Sequence, residues 1–408
     1  MVAPSRHRPS DLLLKNGRRI IVSDAMSHLS RRAFLSSSLI AGAAAFIPVE
    51  LGAQAPRVPG KEKLVVNSYR FLDLEAPKSE LRTWITPNEL FFVRNHVSEP
   101  FAIDAESYRL KIVGEVEREV SLSLADLRRM EAATVVNTLE CAGNGRANYE
   151  PHVPGVQWRG GAVGTARFHG PRMRDVLNRA GLKSTAKHVA FRGLEEPPGK
   201  VPQFIRSIPI EKANDPDTLV ALEMNGVALP KHNGFPARAL VPGWIGAASC
   251  KWLSEIRLLP AEFEGNYMKP GYRMPNHPIA AGADVDPNDT SPITTLGVKS
   301  MIVTPSDGAR IRGGAVHISG AAWAGEAEIA KVDVSVDGGN SWAPAQLGSD
   351  HARYAWRLWS FAWTPKPGSF TVMSRATDSQ GRVQPDAPSW NPGGYLWNGI
   401  DKVKVNVI

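Results

Sequence analysis

The sequence predicts an α+β domain followed by an all-β, immunoglobulin-like sandwich domain. Three observations carry that expectation. Between residues 81 and 259, short apolar runs of β character alternate with stretches of helical periodicity. Residues 262–295 are then rich in Pro, Gly, Asn and Asp, as in a long irregular connection over the first domain's surface. From residue 296 onward, short runs with partial period-2 alternation are separated by Gly, Asp and Asn, with no helical pattern.

Taken in order, the chain begins with an address. Ser30-Arg31-Arg32-Ala33-Phe34-Leu35 precedes a small, mostly apolar stretch, residues 35–47, too short for a stable membrane anchor. The paired arginines resemble a bacterial twin-arginine export signal. Residues 1–55 are therefore expected to be a signal region, and the protein to reach the periplasm already folded. Residues 56–80 are polar and contain proline, which suggests an extended lead-in.

In residues 81–295, SLADLRRME (123–131) opens with a serine cap and reads as a helix, as does RMRDVLNRA (172–180). Glu223-Met-Asn-Gly226 has the Asn-Gly centre of a tight hairpin. In residues 296–408, the runs 315–322, 329–336 and 369–376 read as strands, and Asp337-Gly-Gly-Asn340 as a turn.

At 408 residues the chain has room for two or three cores. Its net charge of +8 suits anionic partners, but Lys and Arg are not bunched and no nucleic-acid motif is present, so no nucleic-acid role is expected. Cys141 and Cys250 are the only cysteines, which excludes a C-x-x-C-H haem attachment site and any four-cysteine cluster. A disulfide between the two is left open by the sequence.

Cys141 ends the β-like run Thr134-Val-Val-Asn-Thr-Leu-Glu140 and enters Ala142-Gly-Asn-Gly-Arg146. A thiolate at a glycine turn can bind a soft metal, with Arg146 holding an anion beside it; taken alone, it reads more readily as a buried small hydrophobe ending a strand. Phe91-Phe92-Val93-Arg94-Asn95-His96 sets Arg94 and His96 two apart, on one face if extended. Gly155-Val-Gln-Trp158 offers an aromatic wall. Gly234-Phe-Pro-Ala-Arg238, Leu240-Val-Pro-Gly243, Lys251-Trp252 and Tyr267-Met-Lys-Pro-Gly-Tyr272-Arg273 complete the set.

In this order, these segments resemble the sulfite oxidase family of molybdenum enzymes, over some four-fifths of the chain from residue 81 to the C-terminus. Val332–Trp342 and Arg375-Ala-Thr-Asp378 with Gln384-Pro385 and Trp390-Asn391 resemble that family's dimerisation domain, which implies a homodimer. The resemblance implies a molybdenum-pyranopterin cofactor, one pyranopterin per metal, with Cys141 as the metal's thiolate ligand. It implies that Arg94 and Arg146 flank the metal, that Tyr272 hydrogen-bonds near the reactive oxygen, and that Trp158 closes the substrate pocket. Phe92, Asn95, His96, Arg238 and Lys251 would hold the pterin and its phosphate; Glu195 matches a cofactor-contacting acidic position.

The chain departs from the family at three places. Asn233 stands before Gly-Phe-Pro where histidine is common, with His232 displaced by one. Ala248-Ser249 replaces an arginine that animal enzymes carry before Lys-Trp. Trp390-Asn-Pro-Gly393-Gly394 lacks a third substrate arginine. The implied reaction is oxidation of sulfite to sulfate. With no haem, flavin or dinucleotide motif in the chain, electrons are expected to pass to a separate c-type cytochrome. A sulfane dehydrogenase of the same family and a non-catalytic exported binding protein are the rival readings.

Overall fold

Strands carry most of the architecture, and short helices serve as connectors between them. The structure, a computed structural model, describes residues 57–408; the expected signal region lies outside the described residues. Among the described residues the α-helices are Leu124–Arg128, Met173–Asn178 and Ile210–Ala213. Ser123 caps the first: its Oγ accepts from the Asp126 N–H at 3.1 Å, and the Asp126 carboxylate accepts from the Ser123 N–H at 2.9 Å. Both helices expected from the sequence form, each shorter than its periodic run. The first is cut off because Ala132 already pairs with Pro171 in a sheet. The α+β reading of this region therefore gives way to a mostly-sheet one.

A five-stranded sheet runs Val120–Ser123, Arg109–Gly114, Leu253–Leu259, His188–Gly193, Ile205–Pro209 in spatial order, with Leu253–Leu259 parallel to Arg109–Gly114 and the other pairs antiparallel. A second sheet sets Ala132–Glu140 against Val163–Pro171, and the hairpin Glu223–Met224/Val227–Ala228 extends it. Asn225 and Gly226 have φ of 56° and 82°, the left-handed pair that a type I′ turn requires.

The lead-in is built into the fold. Val65–Ser68 pairs with Asp73–Glu75, which pairs with Val93–Arg94 in a register that sets Asp73 opposite Arg94. Leu64, Leu74 and Ala76 join the main core, which also takes in Trp323 and Trp356 from the C-terminal half. Residues 262–295 are not wholly irregular: Arg273–Pro275 pairs with Thr290–Pro292.

After residue 296, two sheets of four and five strands close over a shared apolar core that includes Ile302, Ile318, Trp359, Val332, Val372 and Val403. The runs expected as strands are strands, Val316–Trp323, Ile329–Ser335 and Gly368–Asp378. The expected turn follows Ser335, whose hydroxyl bonds Asp337 at 2.7 Å. This half is pinned to the strand that leads to Cys141. Thr138 N–H donates to Tyr354 O at 2.8 Å, and Thr138 Oγ1 accepts from Trp356 N–H at 2.8 Å.

Candidate active site

The strand Ala132–Glu140 delivers Cys141 to a buried position, where its N–H donates to Ala162 O at 3.0 Å and its carbonyl accepts from Asn144 N–H at 2.8 Å. Gly145 takes the left-handed φ of 89° that the turn needs. Gly143 is required for a different reason: a Cβ there would lie 2.6 Å from the Arg146 guanidinium. Arg146 folds back over the turn, its Nε and Nη2 donating to Gly393 O at 3.1 and 2.9 Å and its Nη1 to Val156 O at 3.0 Å. Cys141 and Cys250 are both free and buried, which closes the disulfide alternative.

Two cavities meet at Cys141. The first, of about 700 Å³, is lined by ten of the twelve residues singled out from the sequence: Phe92, Arg94, Asn95, His96, Cys141, Glu195, Asn233, Arg238, Lys251 and Tyr272. The second, of about 790 Å³, shares Arg94, His96, Cys141 and Tyr272 with the first and adds the remaining two, Arg146 and Trp158. Sequence positions 92 through 272 thus converge on one thiol, with a chamber on each side.

The first chamber is rich in cations that lack carboxylate partners. Arg238 donates to Asn233 O at 3.0 Å and Ser249 O at 2.8 Å, and Lys251 donates to His232 O at 2.9 Å and to the Asn95 side chain. Behind Asn233, the buried Lys61 reaches Asn233 Oδ1 at 3.1 Å and Phe91 O at 2.7 Å. Burial pushes the Lys61 and Lys251 amines down to about 7 and the Arg238 guanidinium to about 10, with Arg238 adding to the effect on Lys251. Burial likewise lifts Glu195 to about 7. Such shifts mark basic groups whose charged forms burial disfavours, with no carboxylate in direct contact to offset it.

The second chamber carries the groups suited to a small anion. Arg94 is anchored by Asp73 at 3.1 Å, and Arg146 has backbone carbonyls and the Tyr395 ring as partners. His96 Nε2 and Tyr272 Oη share a short hydrogen bond, and the His96 ring stacks on Phe204 with centroids 3.9 Å apart. Burial, with Arg94 and Lys251 beside it, holds His96 well below its usual range, so the imidazole is neutral. Tyr272 is a non-glycine residue with φ of 56°, stacked on Tyr395 at 5.3 Å.

Residues 96–267 match the oxidoreductase molybdopterin binding domain, and residues 290–408 the Mo-co oxidoreductase dimerisation domain. The chain is 40% identical over 358 residues to the sulfite oxidase of Gallus gallus, covering 84% of this chain and 77% of that protein. The chain belongs to the sulfite oxidase family of molybdenum oxidoreductases. Mitochondrial sulfite oxidase of Homo sapiens is 39% identical over 362 residues, which cover 84% of this chain and 66% of the human protein. The chain therefore spans about two thirds of that relative's length. Among solved structures, the sulfane dehydrogenase SoxCD from Paracoccus pantotrophus superposes with a TM-score of 0.74 at 27% identity, over 90% of this chain and 93% of that one.

The family's molybdenum-pyranopterin cofactor fits the residues present. Buried polar atoms with no partner among the described residues cluster at the first chamber: Asn95 Nδ2, Glu195 Oε2 and Arg238 Nε. These are donors and acceptors of the kind a polar heterocycle and a phosphate would satisfy. The thiol at the junction is of the soft donor type that such a metal would take. In the second chamber the buried Trp158 indole N–H is likewise without a partner.

Several site residues escaped the sequence reading. Asp73, which holds Arg94 and accepts from Asn95 N–H at 3.3 Å, lies in the lead-in, as does Lys61. Phe204, Arg206 and Tyr395 sit in no distinctive phrase. The only sequence signal for Asp73 was a pair of acids flanking Leu74 in an otherwise strand-like run.

Proposed function

We propose that this chain is a periplasmic, exported sulfite dehydrogenase that oxidises sulfite to sulfate and hands the electrons to a c-type cytochrome. One observation carries the reading: Cys141 stands between a chamber of unneutralised cations and a chamber flanked by Arg94 and Arg146. The cofactor, when bound, supplies the two-electron chemistry by which sulfite and water become sulfate, two protons and two electrons.

The protein's own part is binding, orientation and exclusion of water. Phe92, Asn95, His96, Glu195, Asn233, Arg238 and Lys251 would hold the pterin and its phosphate, and Cys141 would ligate the metal. The guanidinium groups of Arg94 and Arg146 attract the anion, and their planar donors fix its orientation. Tyr272 offers its hydroxyl to an oxygen of the substrate while neutral His96 holds that hydroxyl in place. Trp158 walls the chamber. The match to a dimerisation domain supports a homodimer, and the Arg31-Arg32 segment supports export.

The likeness to the sulfane dehydrogenase favours a second reading, a sulfur atom carried on a partner protein as substrate. Sulfite-dependent reduction of cytochrome c by the molybdenum-loaded protein separates the two. Turnover with sulfite supports the first reading; inertness toward sulfite with turnover of carrier-bound sulfane replaces it. A correctly matured protein free of molybdenum overturns both.

A further inference from the structure

One buried cation beside the second chamber has no assigned part. Arg206, on the strand Ile205–Pro209, is among the largest fully buried side chains, and among the described residues no carboxylate lies at ion-pair distance from it, Glu262 being paired with Arg273. A buried charge without a counter-charge is costly, so its surroundings must compensate. They do so with backbone and ring. Its Nη1 donates to Tyr267 O, its Nη2 to Ile293 O at 3.4 Å, and its guanidinium lies 4.9 Å from the centre of the Tyr272 ring. Its Nε has no partner.

These contacts converge on the residue the mechanism needs. Ile293 N–H donates to Tyr272 O at 2.9 Å, so Arg206 grips the segments on both sides of Tyr272. Phe204, two residues earlier and on the same face of the chain, stacks beneath His96. The two side chains together form a floor under the His96–Tyr272 pair. The left-handed φ of 56° at Tyr272 is a conformation that persists only where the surroundings impose it.

Arg94 is tied to Asp73, which offsets part of its charge. Arg206 has no carboxylate in direct contact, Glu262 acting on it only from beyond ion-pair distance, and it faces the chamber across one aromatic ring. Across one ring in a partly buried setting, a full charge still changes anion binding by about tenfold.

We propose that Arg206 is a positioning residue of the anion site, holding Tyr272 from behind and adding a fixed positive charge that acts on the bound anion through it. The proposal rests on an anionic substrate, as in the reading above. Two variants separate charge from scaffolding: R206Q keeps hydrogen-bond donors and loses the charge, and R206K keeps the charge.

The measurements are the KM for sulfite in the molybdenum-loaded protein and the affinity for inorganic sulfate by calorimetry. R206Q is expected to raise KM and weaken sulfate binding about tenfold, with a smaller change in kcat and unchanged molybdenum content, and R206K to recover most of the affinity. Should R206Q fail to fold, R206M supplies the neutral variant. Unchanged KM and sulfate affinity in the neutral variant overturn the proposal, as does R206K binding sulfate as weakly as R206Q. A wild type that ignores sulfite but binds sulfate in an Arg206-dependent way refutes the sulfite reading and leaves this one standing.

Discussion

The carboxylate of Glu140, the residue immediately before Cys141, accepts a hydrogen bond from the Lys299 ammonium at 2.8 Å, and both residues are buried. The same carboxylate accepts from Trp323 Nε1 and Asn144 Nδ2, each at 2.8 Å. One side chain therefore ties the strand leading to the thiol, the turn after it and two paired strands of the four-stranded C-terminal sheet.

Removing one partner leaves the other charge buried. Lys299→Met is expected to destabilise the protein by about 3–5 kcal/mol. Arg129→Met, at the exposed Arg129–Asp126 pair, is expected to cost under about 1 kcal/mol. Denaturant midpoints on both variants check this; equal losses would show that Glu140 and Lys299 are not coupled as the geometry implies.

Gly143 tests the packing of Arg146. An added methyl would meet the guanidinium at 2.6 Å and push it from its place beside the metal site. Gly143→Ala should lower kcat/KM for sulfite about 100-fold while the metal content is kept. Steady-state kinetics with elemental analysis decide; full activity would mean that Arg146's position is not critical.

The unneutralised cations give the cofactor-free protein a pH signature. Lys61 and Lys251 have folded pKa values of about 7, against 10.5 for the ordinary amine, chiefly from burial. Between those values the unfolded chain binds more protons, so stability rises with pH from about 7 upward. Glu195, raised by burial from 4.5 to about 7, acts oppositely below that range: the folded state binds the extra proton, and stability falls as pH rises toward 7. Denaturant midpoints of cofactor-free protein at pH 7 and 9 should show the gain, and Lys61→Met should reduce it. A flat profile would contradict the burial of these amines.

Asp73→Ala should release Arg94 and Asn95 together, since its carboxylate holds the guanidinium at 3.1 Å and the Asn95 N–H at 3.3 Å. The expected outcome is a lower fraction of molybdenum-loaded protein and a raised KM for sulfite. Metal content and KM equal to wild type would remove Asp73 from the site.

The site was legible in the sequence where its residues sit in compact phrases. Arg94, Asn95 and His96 are contiguous, Cys141 and Arg146 share one turn, and Arg238 and Lys251 flank one short segment. What stayed hidden depends on pairing across the chain. Asp73 reaches Arg94 through a strand register 21 residues apart, and Lys61 meets Asn233 across 172 positions. Gly143 was legible as a glycine but not in its reason, because the need for space arises only when Arg146 folds back. The fold was read well where turn chemistry is strong, at Asn225-Gly226 and Asp337. Helical content was overestimated because short amphipathic runs can cap and end within two turns.

The central claim is that Cys141 is the protein's ligand to the metal. Molybdenum-edge X-ray absorption on loaded wild type and on Cys141→Ser tests it most directly. Loss of one sulfur neighbour in the variant, with the cofactor still bound and the fold intact, is the result predicted here. Identical sulfur coordination in the two proteins would contradict it.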